Sequence, residues 1–413
     1  MASYSVGRLQ KDLREGQTIF GFMATNTYRD LNGSGMENIM HDHATSAGVD
    51  FSHEFNDRNY KIYTAISFSE VQGSVEAITQ TQSGPGHYFQ RPDTDYIEVD
   101  TTANSLRGYT SIIGLRKQKG AWRYGMGFSS VSPGYEINDL GFNSRADDMD
   151  QWSWASYRDT EPGKLFRNYQ INLNQWSSWN FGGDRGNRGG NVNANARFNN
   201  NYFIFGGLGI NPSGLNFDHL RGGPAIATSF GANMWYGFNS DDRKDFSFGY
   251  FGFTYYSLDK VFSSNISPYI SFRPRKNIQF SLNPEYKYFD DTWAWVSSFE
   301  DSKNEKHYIF SDILQKTFSL TMRLNVTLRT NLSVQFYAAP FLTAGHYENF
   351  REIDELREVD FDKRFSAYND IQLKENQEVI YDDGSSESVD FAVDYNSDGI
   401  FDHTFSNPDF NYK

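Results

Sequence analysis

Between Thr317 and Arg329 the chain alternates strictly. Phe318, Leu320, Met322, Leu324, Val326 and Leu328 take one parity, and Thr317, Ser319, Thr321, Arg323, Asn325, Thr327 and Arg329 the other. Successive side chains of a strand point to opposite faces, so this is a ribbon with one apolar and one polar face. It runs for thirteen residues, whereas strands of soluble sheets average about 5–6. A strand tilted across a bilayer needs about 9–11, so length favours a membrane strand.

The same alternation recurs. Leu332, Val334, Phe336, Ala338, Pro340 and Leu342 follow a Thr330-Asn331 turn. Ile266, Pro268, Ile270 and Phe272 lead through Pro274-Arg275-Lys276-Asn277 into Ile278, Phe280 and Leu282. Tyr60, Ile62, Ile66 and Phe68 form another ribbon, Tyr169, Ile171 and Leu173 another. Phe246, Phe248 and Tyr250 use one parity before Phe251, Phe253 and Tyr255 take the other. Roughly 16–18 such runs, mostly in hairpins, predict an all-β, antiparallel, up-and-down transmembrane β-barrel. Trp122, Tyr124, Trp152, Trp154, Trp176, Trp179, Trp235, Tyr236, Trp293 and Trp295 fall near predicted strand ends. Interfacial girdles place them there, and so does the ordinary preference of sheets for aromatics.

Composition agrees. Aromatic residues make up 17% of the 413, yet the mean hydropathy is polar at −0.65. A barrel reconciles the two, because only alternate positions meet lipid. No run of 18 apolar residues exists, so no helix spans a bilayer. The absence of cysteine excludes disulfide scaffolds and thiolate chemistry. A net charge of −14 and no basic patch argue against nucleic acid as a partner.

Two segments break the rhythm within an otherwise single predicted domain over 1–413. Residues 73–107, with Gly84-Pro85-Gly86, read as a loop or lumen insertion. Residues 346–402, with Glu348, Glu352, Asp354, Glu355, Glu358, Asp360 and Asp362, read as an acidic extended loop with a short helix near Ile353–Val359. The Gly- and Asn-rich stretch Gly182–Asn195 reads as a further turn region.

Catalytic signatures are missing: there is no phosphate-binding loop, nucleophile elbow or HExxH. His41-Asp42-His43, with Asp50 and His53 nearby, either holds a metal or is solvated loop. Asp394, Asn396, Asp398 and Asp402, with Gly399 at the sixth position, match the first nine positions of a calcium loop, but Phe405 replaces its bidentate Glu. The alternative is a hairpin turn on Asn396-Ser397-Asp398-Gly399. The acidic pairs Asp147-Asp148 and Asp290-Asp291 fix no carboxylate spacing for glycoside hydrolysis.

Four polar motifs interrupt the alternation: His87-Tyr88-Phe89-Gln90-Arg91-Pro92-Asp93; Ser132-Pro133-Gly134-Tyr135-Glu136-Ile137-Asn138-Asp139-Leu140-Gly141-Phe142; Leu220-Arg221-Gly222-Gly223-Pro224; and Ser406-Asn407-Pro408-Asp409-Phe410-Asn411. In this order they resemble the DUF5916 family, common in Bacteroidota and related phyla. The resemblance implies a bacterial outer-membrane barrel, usually preceded by a carbohydrate-binding family 9-like domain and continued by closing strands. On that reading the chain is a piece lacking its signal peptide, N-terminal domain and last strands. It carries no assigned catalytic residues.

From the chemistry of the motifs, Arg91, Asp93, Glu136, Asp139, Arg145 and Arg221 are expected to form a polar network at the lumen or rim, since buried charges need partners. The same six residues would alternatively form a solute-binding constriction. The expected function is a non-enzymatic outer-membrane barrel, embedded in lipid, that anchors or serves a glycan-binding module in carbohydrate binding or uptake. The alternative is a barrel-embedded hydrolase acting on glycans or lipids.

Overall fold

The computed structural model describes residues 1–380 and 385–412. The elements are, in order, β1 (Ala2–Leu13), β2 (Thr18–Arg29), β3 (His43–Phe55), β4 (Tyr60–Gln72), α1 (Val75–Ser83), β5 (Ser105–Lys117), β6 (Trp122–Val131), β7 (Asp148–Asp159), β8 (Phe166–Trp179), β9 (Arg185–Phe198), β10 (Phe203–Asn211), β11 (Gly214–Asn216) and β12 (Ile226–Thr228). There follow β13 (Gly231–Asn239), β14 (Phe246–Ser257), β15 (Phe262–Arg275), β16 (Ile278–Glu300), β17 (Lys306–Arg329), β18 (Leu332–Ala338), β19 (Phe341–Ile353), α2 (Phe361–Arg364), β20 (Phe365–Ala367), β21 (Leu373–Ile380), β22 (Ser386–Val393), β23 (His403–Phe405) and β24 (Phe410–Tyr412). The chain is all-β and antiparallel. Among the described residues, β1 to β10 and β13 to β19 make seventeen long strands, within the expected range. By contact it divides into two compact units, Met1–Asp159 with Gln170–Val192 and Ser213–Ile226, and Thr160–Tyr169 with Asn193–Pro212 and Ala227–Lys413.

In the first unit β1 to β7 form a meander, each strand pairing with the next. Register stacks apolar residues in rows, such as Phe22, Val49 and Ile66, or Ile62, Leu115 and Met126. Phe20, Phe22, Val49, Ile66, Phe68, Ile113, Leu115, Trp122, Tyr124 and Met126 are all exposed on that face. The opposite face is polar: Thr25 bonds Ser46 across strands at 2.7 Å, and Arg8 pairs with Asp50. Water-soluble monomers rarely expose contiguous apolar patches above a few hundred Å². Here the apolar face follows strand after strand.

The connections of this unit are unequal. The turns after β1, β3 and β5 span 14–17, 56–59 and 118–121, whereas those after β2, β4 and β6 span 30–42, 73–104 and 132–147. The insertion at 73–104 is not all loop: Ser74 caps α1, its side chain accepting from the Ala77 N–H. Ile78 of α1 packs with Val71 and Ala44 on the polar-side parity of the sheet, where Leu106 also joins.

In the second unit β10, β13, β14, β15, β16 and β17 pair in sequence, and β17 then pairs with β18 and β19. Rows such as Phe272, Phe280, Leu324 and Phe336 give this unit an apolar face of its own. The expected strand Leu332–Leu342 is broken after Ala338, because Pro340 lacks an N–H; its carbonyl still accepts from Leu320 at 3.0 Å.

Strands β16 and β17 have 23 and 24 residues, about twice what a bilayer requires. Their distal halves carry bulges between Asp291 and Ala294, Trp295 and Ser297, and Phe310 and Asp312. There the apolar residues are covered: Phe299, Ile309, Phe350, Phe391 and Val393 form a core under the small sheet β21–β22–β23. The acidic segment is therefore only partly loop. Residues 346–353 belong to β19, and the short helix lies at Phe361–Arg364 rather than near 353–359. The acidic residues obscure this strand because their partners are cross-strand: Glu352 meets His307, and Arg351 meets Asp312.

Candidate solute-binding site

Three of the four polar motifs converge within the first unit, on the long-connection end of its meander. The fourth, Ser406–Asn411, lies in the second unit, where Asp409 meets His346 at 2.8 Å and accepts the Tyr347 N–H at 2.6 Å. Ser132–Phe142 is laid against the sheet by close backbone approach. A Cβ on Gly108 would meet the Tyr135 nitrogen at 2.1 Å, and one on Gly134 the Arg107 carbonyl at 2.2 Å, so both positions require glycine. Ser132 accepts the Tyr109 N–H at 2.8 Å, and the Glu136 N–H donates to Ser69 at 3.0 Å. Ser69 shares its strand parity with Ser67 and Val71, opposite Ile66 and Phe68. The loop thus covers the polar face.

Glu136 and Asp139 face a cavity of about 420 Å³ lined by Arg29, His41, Thr81 and His87 among others. Asp139 binds both Arg29 and His41, the latter at 2.7 Å through Nδ1. His41 Nε2 lies 2.7 Å from Thr81 Oγ1 of α1. Glu136 lies 3.0 Å from His87 Nε2, while His87 Nδ1 donates to the Pro133 carbonyl at 2.7 Å. Burial disfavours charge on both carboxylates, but the hydrogen bonds outweigh it. His87 and the Asn138 N–H hold Glu136 below its ordinary range, and His41 and Arg29 do the same for Asp139.

Arg91 and Asp93 belong to a neighbouring cluster. Buried Arg91 reaches Asp93 at 3.2 Å and Asp147 at 3.9 Å and stacks over Phe217. Asp93 also accepts the Ala225 N–H at 2.8 Å. Asp147 accepts from Tyr96 at 2.5 Å and from the Phe181 N–H at 2.9 Å. Burial is the largest influence on Asp147 and raises it despite these donors; burial, then the facing Asp147 carboxylate, push the Tyr96 hydroxyl up. Arg145 pairs with Asp218 at 3.4 Å and lies over the same Phe217 ring. Arg221 and Gly222 both have left-handed φ, +50° and +95°, which explains glycine in Leu220–Pro224.

Five of the six expected network residues thus fall into two clusters rather than one, Glu136 with Asp139 and Arg91 with Asp93 and Arg145. Arg221 occupies the adjoining turn. Arg29, His41, His87, Tyr96, Asp147, Phe217 and Asp218 complete the clusters without having been singled out for them. The chain pairs them from far apart, as with Arg29 and Asp139, 110 residues away. Only the polarity of His41 within a strand-rich region signals it in the sequence.

The metal expectations look different in space. His41 turns to Asp139, while His43 lies 3.2 Å from Asp42. Asp394, 1% exposed, accepts the Asp398 and Gly399 N–H groups at 3.0 and 2.9 Å. Asn396 accepts from Asp398 at 3.0 Å, Asp398 from Ile400 at 2.8 Å, and Asp402 from Tyr395 at 2.8 Å. These are the contacts of a self-capped turn. A calcium ion would have to share those oxygens with the backbone.

On the polar face outside the loops stand large aromatics. Trp152 and Trp154 sit opposite Gly127 and Gly125, and Tyr63 opposite Gly114. A Cβ on Gly127 would lie 2.3 Å from the Trp152 ring, so glycine makes room for each indole.

No curated protein sequence matches the chain. Among solved structures it is similar to the outer membrane transporter YddB from Escherichia coli, with 10% identity, a TM-score of 0.46, and coverage of 99% of this chain and 60% of that one. The FrpB iron transporter from Neisseria meningitidis (F3-3 variant) gives 11%, 0.42, 88% and 63%. The anion-selective porin from Comamonas acidovorans gives 10%, 0.30, 72% and 92%. The chain thus spans less than two thirds of the two transporters. The family model "Domain of unknown function (DUF5916)" matches residues 1–381, and the chain belongs to that family.

Proposed function

We propose that the chain is a β-barrel of the bacterial outer membrane that binds a glycan on its polar face, in carbohydrate binding or uptake, and that it does so without catalysing a reaction. The observation that carries this reading is the exposed apolar face of each unit, backed along the same strands by a polar one. That is the cross-section of a strand between lipid and an aqueous interior. Trp152, Trp154 and Tyr63 stand half-buried on the polar side. Their flat apolar rings and polar tips suit the mixed surface of a sugar ring.

The hydrolase alternative would need one carboxyl group kept protonated as general acid beside an ionised one. Glu136 and Asp139 share a cavity, but both are held below their ordinary range. Each is already engaged by cations or imidazole. For these two residues this favours structural and binding roles over acid catalysis.

The test is tryptophan fluorescence of the detergent-purified chain against a panel of oligosaccharides. A saturable change is expected with at least one glycan, and it should be lost in a Trp152→Ala, Trp154→Ala double variant. No response across the panel would remove the glycan assignment, and a response that persists in the double variant would remove Trp152 and Trp154 from the binding surface.

A further inference from the structure

The tip of the β16–β17 hairpin holds a second group of ligand-type side chains, unrelated to the motifs above. Asp301, Glu305 and His307 each offer one ligand atom, and these atoms lie within 4.8 Å of one another. Such a cluster on a surface turn would mean little alone. His307 changes that.

Its ring is 6% exposed, and its Nε2 is buried with no hydrogen-bond partner. The other ring nitrogen, Nδ1, lies 2.6 Å from Glu352 Oε1. Glu352 is itself buried and accepts from the Tyr368 hydroxyl at 2.5 Å. A carboxylate facing Nδ1 favours the tautomer with its proton there, which leaves a lone pair on Nε2. That lone pair faces Asp301 Oδ2, 3.8 Å away. An orphaned buried acceptor pays its desolvation with no hydrogen bond in return. Something is needed between the imidazole and the carboxylate.

The surroundings fix this geometry. His307 packs between Phe299 and Tyr395, with ring centroids 4.9 and 4.0 Å away. Asp301 Oδ1 accepts the turn N–H groups of Lys303 at 2.9 Å and Glu305 at 2.8 Å, which leaves Oδ2 to the imidazole. Glu305 is exposed and the Asp301 side chain is largely buried, so the group opens to solvent on the Glu305 side. Two ligands each about 2.1 Å from one ion lie about 3.4 Å apart at the tetrahedral angle. The His307–Asp301 separation of 3.8 Å is a few tenths of an ångström wider, and the three ligand atoms together lie within 4.8 Å.

We propose that Asp301, Glu305 and His307 bind a divalent transition-metal ion of the zinc class, with Glu352 orienting the histidine. One imidazole and two carboxylates suit zinc and its neighbours better than calcium or magnesium, which prefer all-oxygen shells. The Glu352–His307 contact is the outer-shell arrangement that metal-bound histidines usually have. Three protein ligands leave a fourth position for water.

The experiment uses the full chain in detergent, stripped with chelator and titrated with zinc by calorimetry, with calcium as a control. One equivalent of zinc is expected for the native chain. Glu305→Gln and Asp301→Asn, both on the turn, should weaken it at least tenfold, and His307→Gln should abolish it. Glu352→Gln should keep the stoichiometry but lose 10–100-fold in affinity. Unchanged zinc binding in both turn variants, no zinc binding by the native chain, or calcium binding that the same variants abolish would each overturn the proposal. The turn variants keep the test valid should His307→Gln fail to fold.

Discussion

Asp139 is one carboxylate held by the Arg29 guanidinium and the His41 imidazole, and its removal would leave Arg29 without its anion in a site where both the Arg29 and Asp139 side chains are 9% exposed. Breaking a buried pair from one side costs about 3–5 kcal/mol. Because the folded-state values of Asp139 and Glu136 lie below their ordinary ones, their contribution is complete above the ordinary carboxylate range, near pH 4. It is lost as pH falls through the lowered folded values. Hydrogen exchange across 132–147 should therefore show protection at neutral pH that disappears on acidification below about pH 4. Asp139→Asn should show much of that loss already at pH 7, and equal protection in the variant would argue against the role. At this scale the sequence is half legible. The motif carboxylates stand out against apolar alternation, whereas Arg29, His41 and His87 become partners only through folding that no local pattern encodes.

At the scale of elements, a strand's two parities carry different loads. Ile113 of β5 is 51% exposed and sits among Ile66, Phe128 and Leu115 on the apolar face. Ser46 of β3 lies on the polar face, bonded to Thr25. Arginine at the lipid midplane of a barrel costs about 2–4 kcal/mol, and substitutions on the lumen side cost little. Ile113→Arg should therefore lower the denaturant midpoint of the detergent- or lipid-folded chain by an amount in that range, while Ser46→Lys should change it far less. Similar effects from both would mean that the exposed apolar face does not meet lipid. The strands near Thr317–Arg329 and Leu332–Ala338 could be read because one face is apolar and the other polar. Lys306–Lys316 could not, since residues there such as Tyr308, Ile309, Phe310, Ser311 and Ile313 are buried on both parities beneath the cap, which erases the period-2 signal. Helix α1 was hidden for a related reason: it is nine residues long, too short for a clear helical period.

At the scale of the whole molecule, an acidic, polar chain exposes many large aromatics. In water, faces bearing Phe20, Phe22, Trp122, Phe246, Phe272, Phe318 and Phe336 would drive association. In detergent they are covered, and the antiparallel ladders behind them keep the backbone satisfied, as a membrane strand requires. A ladder of this kind resists unfolding by mild detergent at room temperature and yields on boiling. The refolded chain should therefore migrate differently in unheated and boiled samples on a denaturing gel, and it should form large aggregates once detergent is removed. A monodisperse monomer in plain buffer, with the same mobility before and after heating, would contradict the membrane assignment and leave the apolar face unexplained. The measurement also separates the two levels of the proposal. Heat-modifiable migration without any oligosaccharide response would keep the barrel and discard the glycan, because the first depends on the lipid parity of the strands and the second on the aromatics of the opposite one.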